Sequence, residues 1–247
     1  MKYNAKFFRE SMPEWKRKKD PVLSKIFYRR ISFVCASVFA NCGINANTVS
    51  NISTIIGLLA CVCFAVPNYV CGIVGAILVN IWLILDCTDG NIARSVKMEP
   101  FGEFVDAVSS YLLVGLLFNV LGVHTYYMGG VILKKNIIII VIGAFAASFD
   151  SLMRLVYQKY IVVSRDWGID GKVKLDGSNA GKIDKIRFRV EQEFGMGGIL
   201  PLAILLASVF RCLDIVLIIW CAYYGCVFLA STLYLLNKAM KTNKRNL

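Results

Sequence analysis

The chain has 247 residues, 57% of them apolar and 18% charged, with a mean hydropathy of +0.61. A soluble domain of this size needs a charged shell and cannot bury that much apolar surface in one core. The apolar residues also fall in blocks near 20, the length a bilayer demands. The net charge of +12 is read as membrane topology and attraction to anionic lipid and anionic substrates, not to nucleic acid. Nine cysteines without a CxxC pair, and one histidine, argue against a zinc or redox site and for buried reduced thiols. The first 30 residues are too basic and too interrupted by charge to read as a cleavable signal peptide.

In chain order, residues 1–30 are polar and basic, punctuated by Pro13 and Pro21. From Lys25 to Cys42 basic and apolar residues alternate over a stretch too short to span. This predicts an amphipathic helix in the membrane interface, with Arg29 and Arg30 toward headgroups. Gly43 ends it, and Asn45 to Ser50 offers capping side chains for a first span over 48–66. Pro67-Asn68 makes a turn. Further spans are expected over 70–92, 101–123, 136–157, 196–211 and 213–236. A polar loop fills 158–195, with a short interfacial helix over 183–190.

The expected fold is thus all-α and integral to the membrane: six transmembrane helices after a cytoplasmic amphipathic helix. Its divisions are a basic segment over 1–45, a membrane domain over 46–237 and a basic cytoplasmic tail over 238–247. Of the 28 Lys and Arg, 25 fall on one side of this topology, leaving Lys134, Lys135 and Arg211 on the other. The positive-inside rule then puts both termini in the cytoplasm of a multi-pass cell-membrane protein.

The chemically distinctive stretch is Asp86-x-x-Asp89-Gly90-x-x-Ala93-Arg94, followed by Gly102-x-x-x-Asp106-x-x-x-Ser110. Asp86 and Asp89 share one face near the end of a span, and Asp106 lies one turn into the next. Each carboxylate costs about 2.5–3.5 kcal/mol at a helix centre, less near the edge, and three together repel. Arg94 cannot neutralise them all, so a hard divalent cation is the economical solution. The small residues Gly90, Ala93 and Gly102 leave room for a ligand or a neighbouring backbone.

This run resembles the signature of the CDP-alcohol phosphotransferase family, D-x-x-D-G-x-x-A-R, seven or eight residues, then G-x-x-x-D-x-x-x-D. Seven residues separate the two halves here, and one position departs. The amphipathic helix before the first span, the Asn47-Thr48-Val49-Ser50 start of that span and the six helices extend the likeness. The long basic N-terminal approach is similar to members whose acceptors are phosphorylated polyols.

The resemblance implies that Asp86, Asp89 and Asp106 hold one or two Mg²⁺ or Mn²⁺ ions. It implies that Gly90, Ala93, Arg94 and Gly102, with Asn47, form the CDP-binding side. An acceptor alcohol (lipid, polyol or phosphorylated compound) would attack the β-phosphorus of a CDP-alcohol donor and release CMP, and the likeness to the family implies a homodimer. The departure is Ser110, at the place of the aspartate assigned as the base. A serine hydroxyl cannot act as a base near neutral pH, and losing general-base catalysis costs about 10²- to 10⁴-fold. Three accounts stay open. Ser110 is an engineered change that traps a substrate complex; or the acceptor arrives ionised or uses another base such as Glu103; or the chain binds CDP-alcohol without turnover.

Other polar residues carry plainer readings. Asp150 and Arg154, spaced i,i+4, pair with each other, or Arg154 grips an acceptor phosphate. His124 is alone on the far side, Arg211 and Asp214 pair or meet water at an outer hairpin, and the Asp166–Gly177 loop lacks calcium-loop spacing.

Overall fold

The computed structural model describes residues 2–168 and 189–245, and every regular element among them is helical. Two short helices, α1 (Ala5–Glu10) and α2 (Glu14–Lys19), precede a wider turn over Ser24–Tyr28 that runs into α3 (Arg29–Asn41). Then come α4 (Ala46–Ala65), α5 (Tyr69–Ser95), α6 (Gly102–Met128), α7 (Ile138–Asp166), α8 (Leu200–Phe210) and α9 (Leu213–Arg245). The last helix runs on to Arg245 without a break after 237.

Local chemistry sets these bounds. Asn45 Oδ1 accepts from the Thr48 N–H at 2.8 Å and caps α4. Pro67 holds Val66 in an extended conformation, φ −82° and ψ 122°, which ends that helix. Asn68 Oδ1 then accepts from Val70 N–H and Cys71 N–H and starts α5. Pro201 sits in the first turn of α8, where its missing N–H costs nothing.

Five helices, α4, α5, α6, α7 and α9, are long and apolar enough to cross a membrane, as a multi-pass membrane protein requires. They enclose a core in which Phe64, Val79, Leu117, Phe118, Leu121 and Leu217 are fully buried. Their outer faces leave Ile55, Val62, Phe145, Leu155 and Leu233 more than half exposed, the pattern of a surface solvated by hydrocarbon. Helices α6 and α7 cross backbone to backbone: a Cβ on Gly122 would lie 3.0 Å from Ile139 O and 3.2 Å from Ile140 Cα.

The segment expected to span 196–211 is an 11-residue helix, α8. At 1.5 Å per residue it rises about 16 Å, about half of a hydrocarbon core. Its neighbours explain the shortness. Tyr69 Oη donates to Val209 O at 2.8 Å, and Asn80 Nδ2 donates to Pro201 O at 3.0 Å, so α8 covers α5 only from Tyr69 to Asn80. Beyond that point the N-terminal segment takes over. Tyr28 Oη donates to Asn80 Oδ1 at 2.5 Å, and Asn91 Nδ2 donates to Ser32 Oγ at 3.0 Å. One flank of α5 is therefore tiled by two short pieces from opposite ends of the chain.

That tiling overturns one expectation. Arg29 does not face headgroups: it is 6% exposed and turned into the bundle, while Arg30 is exposed. Residues 1–20, read as a plain basic approach, carry α1 and α2, and Phe8 of α1 and Met12 of the link between them pack with Phe33, Ala36, Val49 and Ile92. Of the expected helix over 183–190, residues 183–188 lie outside the described residues, as does most of the 166–177 loop; 189–194 is helical.

Candidate active site

The last turns of α5 carry Asp86, Asp89, Gly90, Ala93 and Arg94, and the first turns of α6 carry Gly102, Asp106 and Ser110. The connection between them closes on Phe101, held at φ 58° and ψ 8° in the left-handed region. A bulky residue is strained there, directly before Gly102.

Asp86 and Asp106, one from each helix, lie close enough for each carboxyl to act on the other. Asp106 is open to solvent and Asp86 is half-buried. Asp89 is 4% exposed, and its Oδ2 accepts a hydrogen bond from Ser50 Oγ on α4 at 2.5 Å. Its negative charge repels those of both other aspartates. Two of the three carboxyls are thus brought together, and the third stands a helical turn along with one oxygen committed to Ser50.

Among the described residues, no group of three His, Cys, Asp or Glu side chains is arranged to hold a metal ion. The donor set nonetheless fits a hard divalent cation in kind: carboxylate oxygens from two adjacent helices. A full three-carboxylate cage would need Asp89 to offer Oδ1, or to turn away from Ser50.

The small residues have definite neighbours. The Arg94 guanidinium lies over Gly90, where a Cβ would sit 2.9 Å from Nη1, and Arg94 Nη2 donates to Asn91 Oδ1 at 3.2 Å. A Cβ on Gly102 would sit 3.2 Å from Asn47 Oδ1. That oxygen is buried and accepts no hydrogen bond among the described residues, an orphan acceptor beside the α6 start. Asn47 Nδ2 makes only a long contact, 3.5 Å, to Pro100 O. Ala93 is half-buried and packs with the apolar cluster of Phe8, Phe33 and Val49. Ser110 lies one turn beyond Asp106 and is half-buried. Its neighbour Ser109 is the one tied into the core, meeting Ser53 Oγ at 2.9 Å and Trp82 Nε1 at 3.0 Å.

Sequence reasoning missed a second layer. Arg29 Nε donates to Asp20 Oδ2 at 2.8 Å and Nη2 to Asp20 Oδ1 at 3.2 Å, while Nη1 reaches Cys87 O and Asn91 Oδ1, each at 3.2 Å. Lys16 Nζ stands 3.2 Å from Asp20 Oδ1. Burial opposes ionisation of Asp20, but the bonds and charge of Arg29, with Lys16, outweigh it and hold the carboxyl below its usual range. The positive charges of Arg29 and Lys16 both act on Asp86. Nothing in the sequence ties Asp20 to position 29. Ser50 and Asn91, by contrast, stand inside the stretches already singled out, and only their partners were hidden.

The remaining polar residues resolve simply. Arg154 Nε pairs with Asp150 Oδ2 at 2.6 Å, beside the Tyr111 ring and a cavity of about 180 Å³. His124 Nδ1 lies 3.0 Å from Phe64 O and 3.2 Å from Val66 O, fastening the end of α4. Arg211 and Asp214 do not pair. Arg211 lies over the Tyr69 ring at 4.3 Å, and Asp214 Oδ2 accepts from Ile132 N–H and Leu133 N–H.

Comparison with curated protein sequences finds no match. The family model described as CDP-alcohol phosphatidyltransferase matches residues 43–220, well over half of the chain and including Asp86, Asp89 and Asp106. An all-helical bundle with five long apolar helices, an acidic pair bridging α5 and α6, and that match place the protein in one group: the chain belongs to the CDP-alcohol phosphatidyltransferase family.

Proposed function

We propose that the chain transfers a phosphoalcohol or phosphatidyl group from a CDP-linked donor to an acceptor, at the pocket between the end of α5 and the start of α6. Family membership implies the transferase chemistry and the release of CMP; metal dependence and the residue roles are this proposal's own. The observation that carries it is the Asp86–Asp106 contact across two adjacent helices, with Asp89 one turn away.

Asp86, Asp89 and Asp106 are the residues that would hold Mg²⁺ or Mn²⁺. A bound divalent ion would offset negative charge on the pyrophosphate oxygens. The protein's own part is placement and screening. The Arg94 guanidinium over Gly90 presents positive charge at the helix end, and Asn47 Oδ1 offers an unused acceptor at the side of Gly102, suited to a ribose hydroxyl or a cytosine amino group. Asp106, the carboxylate open to solvent, is placed to accept the proton as the acceptor oxygen bonds to the β-phosphorus and the phosphorus–oxygen bond to CMP breaks. An acceptor that arrives ionised needs no such transfer.

The membrane arrangement belongs to the same proposal. The 196–211 segment, built around α8, makes the sixth crossing within residues 46–237. Both termini and the acidic pocket face the cytoplasm, and the chain forms a homodimer. A second reading, binding of CDP-alcohol without efficient turnover, is favoured by Ser110 alone. Purified protein with labelled CDP-alcohols, candidate acceptors and Mg²⁺ separates the two. Release of CMP that disappears in Asp86→Asn supports transfer, and binding without release supports the second reading. If Asp86→Asn leaves both binding and release intact, the acidic pocket is not the site.

A further inference from the structure

A cavity with a distinct chemistry lies outside the family-matched residues. Helices α1 and α2, the turn before α3 and α3 itself enclose about 730 Å³. Its lining carries six cationic side chains, Lys6, Arg9, Arg17, Lys25, Arg29 and Arg30, against one carboxylate, Asp20. The carboxylate is already spent, being held by Arg29 and Lys16.

The cations divide into a fixed frame and a free set. Arg17 is pinned by its bonds to the carbonyl oxygens of Met12, Arg9 and Glu10, and none of these neutralises its charge. Among the described residues Lys25 Nζ reaches the Lys18 carbonyl, at 3.4 Å, and no carboxylate. The side chains of Arg9 and Arg30 are exposed and have no carboxylate partner among the described residues. Like charges gathered around a concave space repel one another and destabilise the fold unless an anion fills it. Arginine forks match phosphate oxygens in bidentate fashion, as they do carboxylates, and a cluster of several cations favours the anion that offers more acceptor oxygens. Phe33 and Met12, largely buried in the Phe8 cluster, form the apolar part of the lining.

We propose that this cavity is a binding site for a phosphate-bearing ligand, gripped by Arg9 and Arg30 over a frame of Arg17 and Lys25. An anionic phosphate group is common to a lipid phosphodiester headgroup and to a soluble phosphomonoester. The site goes beyond the transfer proposed above, because Arg9, Arg17, Lys25 and Arg30 take no part in the acidic pocket and their ligand is bound without divalent metal.

The test is titration of inorganic phosphate into the full chain in zwitterionic detergent with EDTA present, read by calorimetry. The expected result is saturable binding that weakens about 10- to 100-fold in Arg9→Gln/Arg30→Gln, as loss of charge-assisted contacts at about 1.4 kcal/mol per tenfold implies. The exposed Lys97→Gln serves as the unchanged control. If the double variant does not fold, Arg30→Gln and Lys25→Gln singly are read instead, each expected at threefold or more. Repeating the titration in nanodiscs of phosphatidylcholine with and without phosphatidylglycerol names the source. Loss of phosphate binding in the anionic discs assigns a lipid headgroup, and retention assigns a soluble phosphomonoester. No binding to the unmodified chain, or equal affinity in the variants and the control, overturns the proposal. Failure of CMP release leaves this result untouched, and failure of phosphate binding leaves the transfer reading untouched.

Discussion

Replacing Asp20 with asparagine isolates the contribution of the buried pair beside α5. Asp20 is 3% exposed and Arg29 6%, so the change leaves a guanidinium enclosed without its counter-charge, with Cys87 O, Asn91 Oδ1 and one asparagine oxygen to receive its N–H groups. Breaking a buried pair by removing one charge costs about 3–5 kcal/mol. The asparagine oxygen keeps one hydrogen bond, which sets the expectation near 3 kcal/mol. For a domain of this size that lowers the thermal midpoint by about 6–12 °C. The free cysteines, including buried Cys61 and Cys87, give the assay, since a thiol-reactive dye reports their exposure on unfolding.

The pH dependence follows from the lowered pKa of Asp20. A carboxyl held below its ordinary value of 3.8 contributes stability that is whole above that value and is lost as pH falls through the folded pKa. The two proteins should differ by a constant amount from pH 5 to 8 and converge only below about 3.8. Removing both charges, as in Asp20→Asn/Arg29→Met, should recover part of the loss. An Asp20→Asn midpoint within about 2 °C of the unmodified protein would refute the claim that the pair is buried and uncompensated elsewhere.

Three further outcomes are expected. Gly143→Ala should destabilise by about 1–3 kcal/mol, because its Cβ would overlap Phe118 O at the α6–α7 crossing; Gly115→Ala, whose Cβ would meet only Ser151 Oγ at 3.9 Å, should be tolerated. Ser50→Ala removes the donor to Asp89 Oδ2 and should cost about 1.5–3 kcal/mol in metal-free thermal unfolding, whereas Ser50→Thr should retain most of it. Ser110→Asp should raise the rate of CMP release by about 10²-fold or more if the acceptor's proton is handled at that position; an unchanged rate would assign proton removal elsewhere or show that the acceptor arrives ionised.

Much of the fold could be read from the sequence because a bilayer imposes one dominant constraint. Blocks of apolar residues bounded by Asn45, Pro67-Asn68 and Gly102 set α4, α5 and α6 to within a few residues. The acidic stretch was equally legible, since Asp86 and Asp89 share a face whatever surrounds them. What stayed hidden depended on partners distant in sequence. Arg29 has the look of an interfacial arginine until Asp20, Cys87 and Asn91 are placed around it. The shortness of α8 was hidden too. Its apolar residues run long enough to suggest a span, but half of the groove it would fill already holds Tyr28 and Ser32. Ser50 was read as a helix-start residue, a role its backbone fits, while its hydroxyl serves a carboxylate 39 positions away.

The shared flank of α5 bears on where the protein can be cut. Sequence likeness begins at residue 43, yet a fragment starting there would strip the cover from Asn80 to Asn91 and bare the back of the helix that presents the acidic residues. A fragment that keeps this cover and the Asp20–Arg29 pair has to begin before Asp20. In this protein the inherited unit and the mechanical unit have different first residues.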